Sequence, residues 1–371
     1  MLRIPSLCGQ ENELADLMVT TMRGTGFEVH RDEVGNVIGT LSPSPLRPEA
    51  GHPRPWGSGS GGTGLQGVGR GVGGERAAQR VVILGHMDTV PGSIAVERRD
   101  GALYGRGAVD AKGPLATAMV AAARAAGSSR CQIRVIGAVQ EEGPSLGARH
   151  LSHCPAPDYL VIAEPSGWDA VVLGYKGSQR FTVEFTRPSA HTAGSEPTAP
   201  ERAVDFWHEL VAWCAGQVSG DGTPVNQFDR LTATLIAMAS ESDGLHDTAS
   251  LHVGLRLPPG LSCRHVQDGV RALLPEGASC HFAPGEEAVR SRKDTPLVAS
   301  FLRSIRSEGG KPRFKVKTGT SDMNVVGPAW NCPMLAYGPG DSRLDHTPDE
   351  HIVVEEYLHA IRVLNTVLQE L

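Results

Sequence analysis

The chain has 371 residues, a formal net charge of −6, 40% hydrophobic and 20% charged residues. That is room for two domains and a substantial core, and it excludes wholesale disorder. The mildly acidic balance argues against nucleic-acid binding. The longest apolar stretches, near 81–84 and 159–163, fall far short of the roughly 20 residues that cross a bilayer, so no membrane span is expected. The start, MLRIPSLCGQENE, has no basic segment followed by an apolar run, so no signal peptide is read there. Seven cysteines, odd in number and without a C-x-x-C pair, point to a reduced, cytoplasmic chain.

Taken in chain order, Leu14, Leu17, Met18 and Met22 recur at helical spacing until Gly24 and Gly26 close the helix. Residues 27–40 read as a strand, a Gly35-Asn36 turn and a second strand. From 42 to 80 the pattern lapses into a proline-rich and then glycine-rich stretch, expected to be a flexible surface insertion. Three apolar strands follow, at 81–84, 135–139 and 159–163, with an alanine-rich helix at 114–126 between the first two. Such strands alternating with helices predict an α/β domain with a mostly parallel sheet.

A different pattern begins near Gly174. Residues 180–187 alternate as a strand, 200–215 form an amphipathic helix, 231–239 and 250–257 alternate again, 266–274 form a helix, and a strand is placed near Cys280. This order predicts a smaller α+β unit with an antiparallel sheet. The first pattern then returns, with a helix at 296–309, a strand at 334–337 and a last helix at 354–371. The expected division is 1–173 and 285–371 for the larger domain, with 174–284 inserted as a lid.

Ligands in open α/β sheets sit beyond the carboxyl ends of the strands. There this chain places His86 and Asp88, Glu141 and Glu142, Glu164, and later Asp345 and His346, with Asp110 in the glycine-bounded loop between. Taken singly these have plain alternatives: His86 with Asp88 as a hydrogen-bonded pair, Glu141-Glu142 as a solvated turn. Imidazoles and carboxylates converging on one sheet edge would repel unless a cation neutralised them. Mixed His and carboxylate donors suit zinc or cobalt better than magnesium or calcium. His150, His153 and Cys154 lack a fourth ligand at suitable spacing and read as a helix-end surface.

The motifs HMDTVP, GRGAVDAKG, QEEG, AEPS, SAHTAG and DHTPDE, in that order from His86 to Glu350, resemble the dinuclear metal amidohydrolases. That family includes acetylornithine deacetylase, succinyl-diaminopimelate desuccinylase and glutamate-releasing carboxypeptidases. The resemblance implies a zinc-peptidase-like catalytic domain interrupted by a lid that commonly forms a homodimer. It implies two divalent ions, Zn2+ or Co2+, with His86 and Glu164 on one, Glu142 and His346 on the other, and Asp110 bridging. It further implies that Asp88 orients His86, that Glu141 is the general base, and that His191, from the lid, stabilises the oxyanion, either within its own chain or across a dimer interface.

Narrower motifs, EPSGW from Glu164, GYKG from Gly174, KTGTSDMN from Lys317 and YGPGDS from Tyr337, resemble the branch that releases lysine, and in some organisms ornithine. The bond cut there joins the amino acid to the γ-carboxyl of the C-terminal glutamate of the carrier protein LysW, the last step of lysine synthesis through α-aminoadipate. Desuccinylases usually carry Gly-Arg where this chain has Met323-Asn324. Rival readings are a deacetylase of acetylornithine or acetyl-lysine, a carboxypeptidase or dipeptidase, and a non-catalytic carrier-binding protein. Lys311, Arg313, Lys315 and Lys317 alternate, and would either attract an acidic carrier or protect a sheet edge. Related chains usually carry a helix before Ile4-Pro5-Ser6; here a start upstream or a missing helix is expected.

Overall fold

Alternation along single strands explains the main architecture. In the strand Arg80–His86, Val81 and Ile83 enter one buried cluster while Val82 and Leu84 enter another. A strand apolar on both faces needs a cover on each. The computed structural model, which describes residues 1–43, 78–191, 193–217 and 226–371, supplies both. On one side helices Asn12–Gly24, Lys112–Ala125, Pro296–Ser307 and Val354–Glu370 contribute Leu14, Ala118, Phe301 and Leu364. On the other, helices Leu146–Leu151 and Asp322–Trp330 contribute Ala148, Met323 and Val326.

The sheet runs in the order Glu28–Arg31, Val37–Leu41, Gln132–Ala138, Arg80–His86, Tyr159–Ile162, Met334–Ala336, Ala170–Tyr175, Val289–Arg290, with Arg313–Lys317 also paired to Ala170–Tyr175. Its four central strands, from Gln132–Ala138 to Met334–Ala336, are parallel, and the 28–41 hairpin joins antiparallel at one end. At Gly85 a Cβ would lie 2.9 Å from the Cβ of Ala163, so only glycine allows the neighbouring strand this close beside His86.

A second sheet is wholly antiparallel, in the order Thr232–Ser242, His246–Leu257, Gly177–Pro188, Ala278–Phe282. Helices Ala199–Gly216 and Cys263–Ala272 cover it, and Phe181, Val183, Phe206, Leu251 and Val266 form a core separate from the first. Thr198 and Glu201 form a capping box at the start of the longer helix, which fixes its entry. The shorter helix begins at Cys263 rather than 266, because the Ser262 side chain accepts the His265 N–H and caps it earlier.

Several elements go beyond the sequence reading, among them the strand Ala170–Tyr175, the helix Asp322–Trp330, and a small sheet of Glu97–Arg99, Ala102–Tyr104 and His351–Val353. Each is short or buried on both sides, so neither period is legible. The proline- and glycine-rich stretch lies, from 44 to 77, outside the described residues. Among the described residues no helix is long and apolar enough to cross a membrane. His150 is partly exposed beside Glu33, 3.5 Å away, as a helix-end surface residue would be.

Candidate active site

Strand ends and loops bring the ionisable residues together. His86 is the last residue of its strand; Glu141 and Glu142 follow Gln132–Ala138, and Glu164 follows Tyr159–Ile162. Asp110 sits in the loop before helix Lys112–Ala125, and His346 follows the short turn Ser342–Leu344. Gln140 and His346 hold φ of 61° and 63°, in the left-handed region. Non-glycine residues there cost about 1–3 kcal/mol each, strain that concentrates at functional sites.

Asp110 is the centre of the cluster. Its Oδ1 lies 3.0 Å from His86 Nε2, which is also 3.5 Å from Glu164 Oε1. Its Oδ2 lies 3.0 Å from His346 Nε2, which is in turn 3.0 Å from Glu142 Oε1. One carboxylate thus faces two separate His/Glu pairs. Ligand atoms of His86, Asp110 and Glu142 all fall within 4.8 Å of one another, a spacing that can hold a metal ion. Asp88 supports both sides: its backbone oxygen is 3.0 Å from His86 Nδ1, and its carboxylate accepts the N–H groups of Glu141 and Glu142 at 3.0 Å each.

The electrostatics show what this crowding costs. Burial pushes Glu141 well above the usual carboxylate range, with Asp322, Glu164 and Asp110 adding to it. Burial and then Asp110 push Glu142 up to about 7. Asp322 and Asp345 are each pushed up to about 8, again first by burial. Both carboxylate oxygens of Asp322, and one of Asp345, are buried without a hydrogen-bond partner. Burial opposes charge on His86, but hydrogen bonds to Asp110, Asp88 and Glu164 outweigh it and hold the imidazole well above its ordinary value. Hydrogen bonding to Asp110 lifts His346 to about 9. Raised proton affinity on so many crowded groups is what a site built around positive charge shows, and the N/O donor set fits divalent zinc or cobalt.

The cluster opens into a cavity of about 800 Å³ between the two sheets, lined by Asp110, Glu141, Glu142, Glu164 and His346 on one side and Arg180, Arg256 and Glu286 on the other. Lys317 and Thr320 also line it; Arg256 donates to Thr320 Oγ1 at 3.3 Å, and Lys317 Nζ lies 3.8 Å from Asp345. Only Lys317 of the alternating basic row reaches this cavity. Arg313 pairs with Asp169 and Lys315 donates to the Ser166 carbonyl at 2.6 Å, away from the cavity. His191 is not brought in: it is exposed and lines a different cavity with Arg187, Glu201 and Asp205.

The model of peptidase family M20/M25/M40 matches residues 82–370, which spans every residue of this cluster. The chain belongs to that family. Among M20/M25/M40 relatives, the "[LysW]-lysine hydrolase" of Deinococcus radiodurans is 40% identical over 99% of this chain and 94% of its own length. A "putative [LysW]-lysine/[LysW]-ornithine hydrolase" of Thermococcus kodakarensis is 37% identical over 100% of this chain and 90% of its own. Solved structures share the M20 fold. A Staphylococcus aureus tripeptidase gives a TM-score of 0.74 at 17% identity, covering 100% of this chain and 95% of its own. A Bacillus subtilis protein described as a dinuclear metal binding peptidase from the M20 family gives 0.68 at 11%, covering 99% and 94%. The zinc-peptidase-like catalytic sheet and antiparallel lid sheet expected from the sequence are therefore the architecture of this chain.

Proposed function

We propose that this M20-family hydrolase releases L-lysine, with L-ornithine as a second candidate product, from the γ-carboxyl of the C-terminal glutamate of the carrier protein LysW. The reaction class rests on Asp110, whose two oxygens each face a His/Glu pair. The substrate rests on the Deinococcus radiodurans relative, alike over nearly the whole chain.

His86 and Glu164 would hold one divalent ion, His346 and Glu142 a second, and Asp110 both, with zinc and cobalt the ions this N/O set suits. The chemistry such ions supply is Lewis acidity, which polarises a carbonyl and makes water easier to deprotonate. Glu141 lines the cavity and its raised proton affinity suits the two transfers it performs: it accepts a proton from water and delivers it to the departing amine nitrogen. Water contributes the oxygen to the new γ-carboxyl, and the amine leaves as lysine. Arg180, Arg256 and Lys317 give the cavity the positive charge that a substrate bearing carboxylates needs.

A homodimer, in the cytoplasm, is part of this reading. Strand Thr232–Ser242 is the outer edge of the lid sheet, and Ile236, Met238 and Leu245 are 55%, 43% and 73% exposed on or beside it. A second lid laid along that edge would pair its free backbone groups, and His191 would then act on the partner's substrate. Sedimentation of the 39.3 kDa chain is expected to give twice that mass, and Ile236→Lys to return it to monomer. A monomeric wild type would sink the dimer.

The substrate is tested by giving metal-loaded protein carrier-linked lysine, carrier-linked ornithine or acetylornithine, and following amine release with intact mass of the carrier. Rapid release from the carrier with little from acetylornithine is expected. The opposite preference would make the chain a deacetylase. Silence on all three would revive a non-catalytic carrier-binding role.

A further inference from the structure

Glu350 is fully buried, yet nothing in the reaction above uses it. A buried carboxylate is costly unless it is paired and hydrogen-bonded, and this one is both. One oxygen accepts the N–H of Val109 at 2.9 Å and of Asp110 at 3.2 Å. The other accepts from Arg106 Nη1 at 2.8 Å, and the same guanidinium nitrogen reaches the Thr347 carbonyl at 3.3 Å. The Glu350 carbonyl in turn accepts the Gly105 N–H at 3.3 Å. The contacts all join two segments: the loop ending at Asp110 and the one carrying His346. The short antiparallel ladder of Ala102–Tyr104 with His351–Val353 also pairs these segments, but Asp110 and His346 lie outside it in turns, so regular backbone pairing does not reach those two residues.

We propose that Glu350 is a positioning residue that locks the Asp110 loop and the His346 segment into one frame, so that the ligands of the cluster are aligned before any ion arrives. Partners that orient ligands commonly matter for metal affinity by about 10–100-fold. Here the partner acts through the backbone, holding the peptide N–H of Asp110 itself. Its action falls on both sides of the cluster, because Asp110 faces His86 with one oxygen and His346 with the other. The inference rests on reading the cluster as a metal site.

The test is a Co2+ titration of wild type, Glu350→Gln, Glu350→Ala and Arg106→Ala, followed by visible absorption, with thermal melting of the metal-free proteins alongside. Glu350→Gln keeps an oxygen for the two N–H groups but turns an amide donor toward Arg106, so a smaller loss than in Glu350→Ala is expected. The expected result is a Co2+ dissociation constant raised about 10-fold in Glu350→Gln and about 100-fold in Glu350→Ala. Turnover at saturating Co2+ should stay within a few-fold of wild type, so the loss falls on affinity. A merely structural residue would lower the melting temperature and leave the dissociation constant alone, which would overturn the proposal. If Glu350→Ala does not fold, Glu350→Gln and Arg106→Ala decide the matter in the same way. Tight wild-type binding with unchanged affinity in the variants overturns this inference alone. A wild type that binds no Co2+ overturns the metal reading and this inference with it.

Discussion

Glu141→Gln is expected to lower kcat/KM on the carrier-linked substrate by about 10²–10⁴-fold, the usual contribution of a positioned acid–base group. The amide has nearly the shape of the carboxylate but cannot take a proton from water. Glu141 is held at its backbone, where its N–H donates to Asp88 at 3.0 Å, so the substitution leaves the loop in place. Glu142, the neighbour that faces His346, is untouched. Metal content by mass spectrometry and KM should therefore stay close to wild type while kcat collapses. Steady-state rates on freshly metal-loaded protein check this, with melting curves to confirm folding. A variant retaining more than a tenth of the activity would move the base elsewhere, to Glu286 or Asp345, which line the same cavity.

The residues that meet in the cluster were legible before the fold because their chemistry lies at strand ends, where a short apolar run stops and an ionisable residue follows. His86, Glu142 and Glu164 are such cases, and the structure brings them together with Asp110 and His346. The two-sheet architecture was legible for a similar reason: buried strands at 81–84 and 159–163 read as unbroken apolar runs, whereas Phe181, Val183 and Phe185 alternate with Thr182 and Glu184 over a half-buried sheet.

What escaped sequence reasoning acts through the backbone. Asn324 stood out only as a departure from Gly-Arg. In the structure its side-chain oxygen accepts the Ser321 N–H, and its amide donates to the carbonyls of Lys176 at 3.0 Å and Glu287 at 2.8 Å. Those carbonyls belong to the two chain crossings between the large sheet and the lid, so one buried amide ties both crossings to a helix start. Leaving them unpaired would cost about 1–3 kcal/mol each. The Ser-x-x-Asn spacing at 321–324 was the available signal for the helix; nothing in the sequence indicates its distant partners. His191 is the opposite case. Its motif is local and readable, but its position relative to the cluster depends on how the lid is placed, or on a second chain.

Asp110→Asn carries the second large effect. An aspartate offers two equivalent anionic oxygens, and here each stands 3.0 Å from a different imidazole. An asparagine has a single carbonyl oxygen and must turn its amide donor toward one of the two His/Glu pairs. It also removes the negative charge that hydrogen bonds from His346 and His86 hold well below the usual carboxylate range. Metal content is expected to fall from two ions per chain to one or fewer. Losing several kcal/mol of charge stabilisation corresponds to a fall in kcat/KM of roughly a thousandfold. Glu164→Gln, which touches only the His86 side, separates the two sides: its loss should be confined to one ion and be partly recovered by excess Co2+. Two tightly bound ions in Asp110→Asn would mean that Asp110 bridges nothing. The two His/Glu pairs would then each need a further donor, and Asp345 and Asp322, whose buried oxygens lack partners, would be the groups left to supply it.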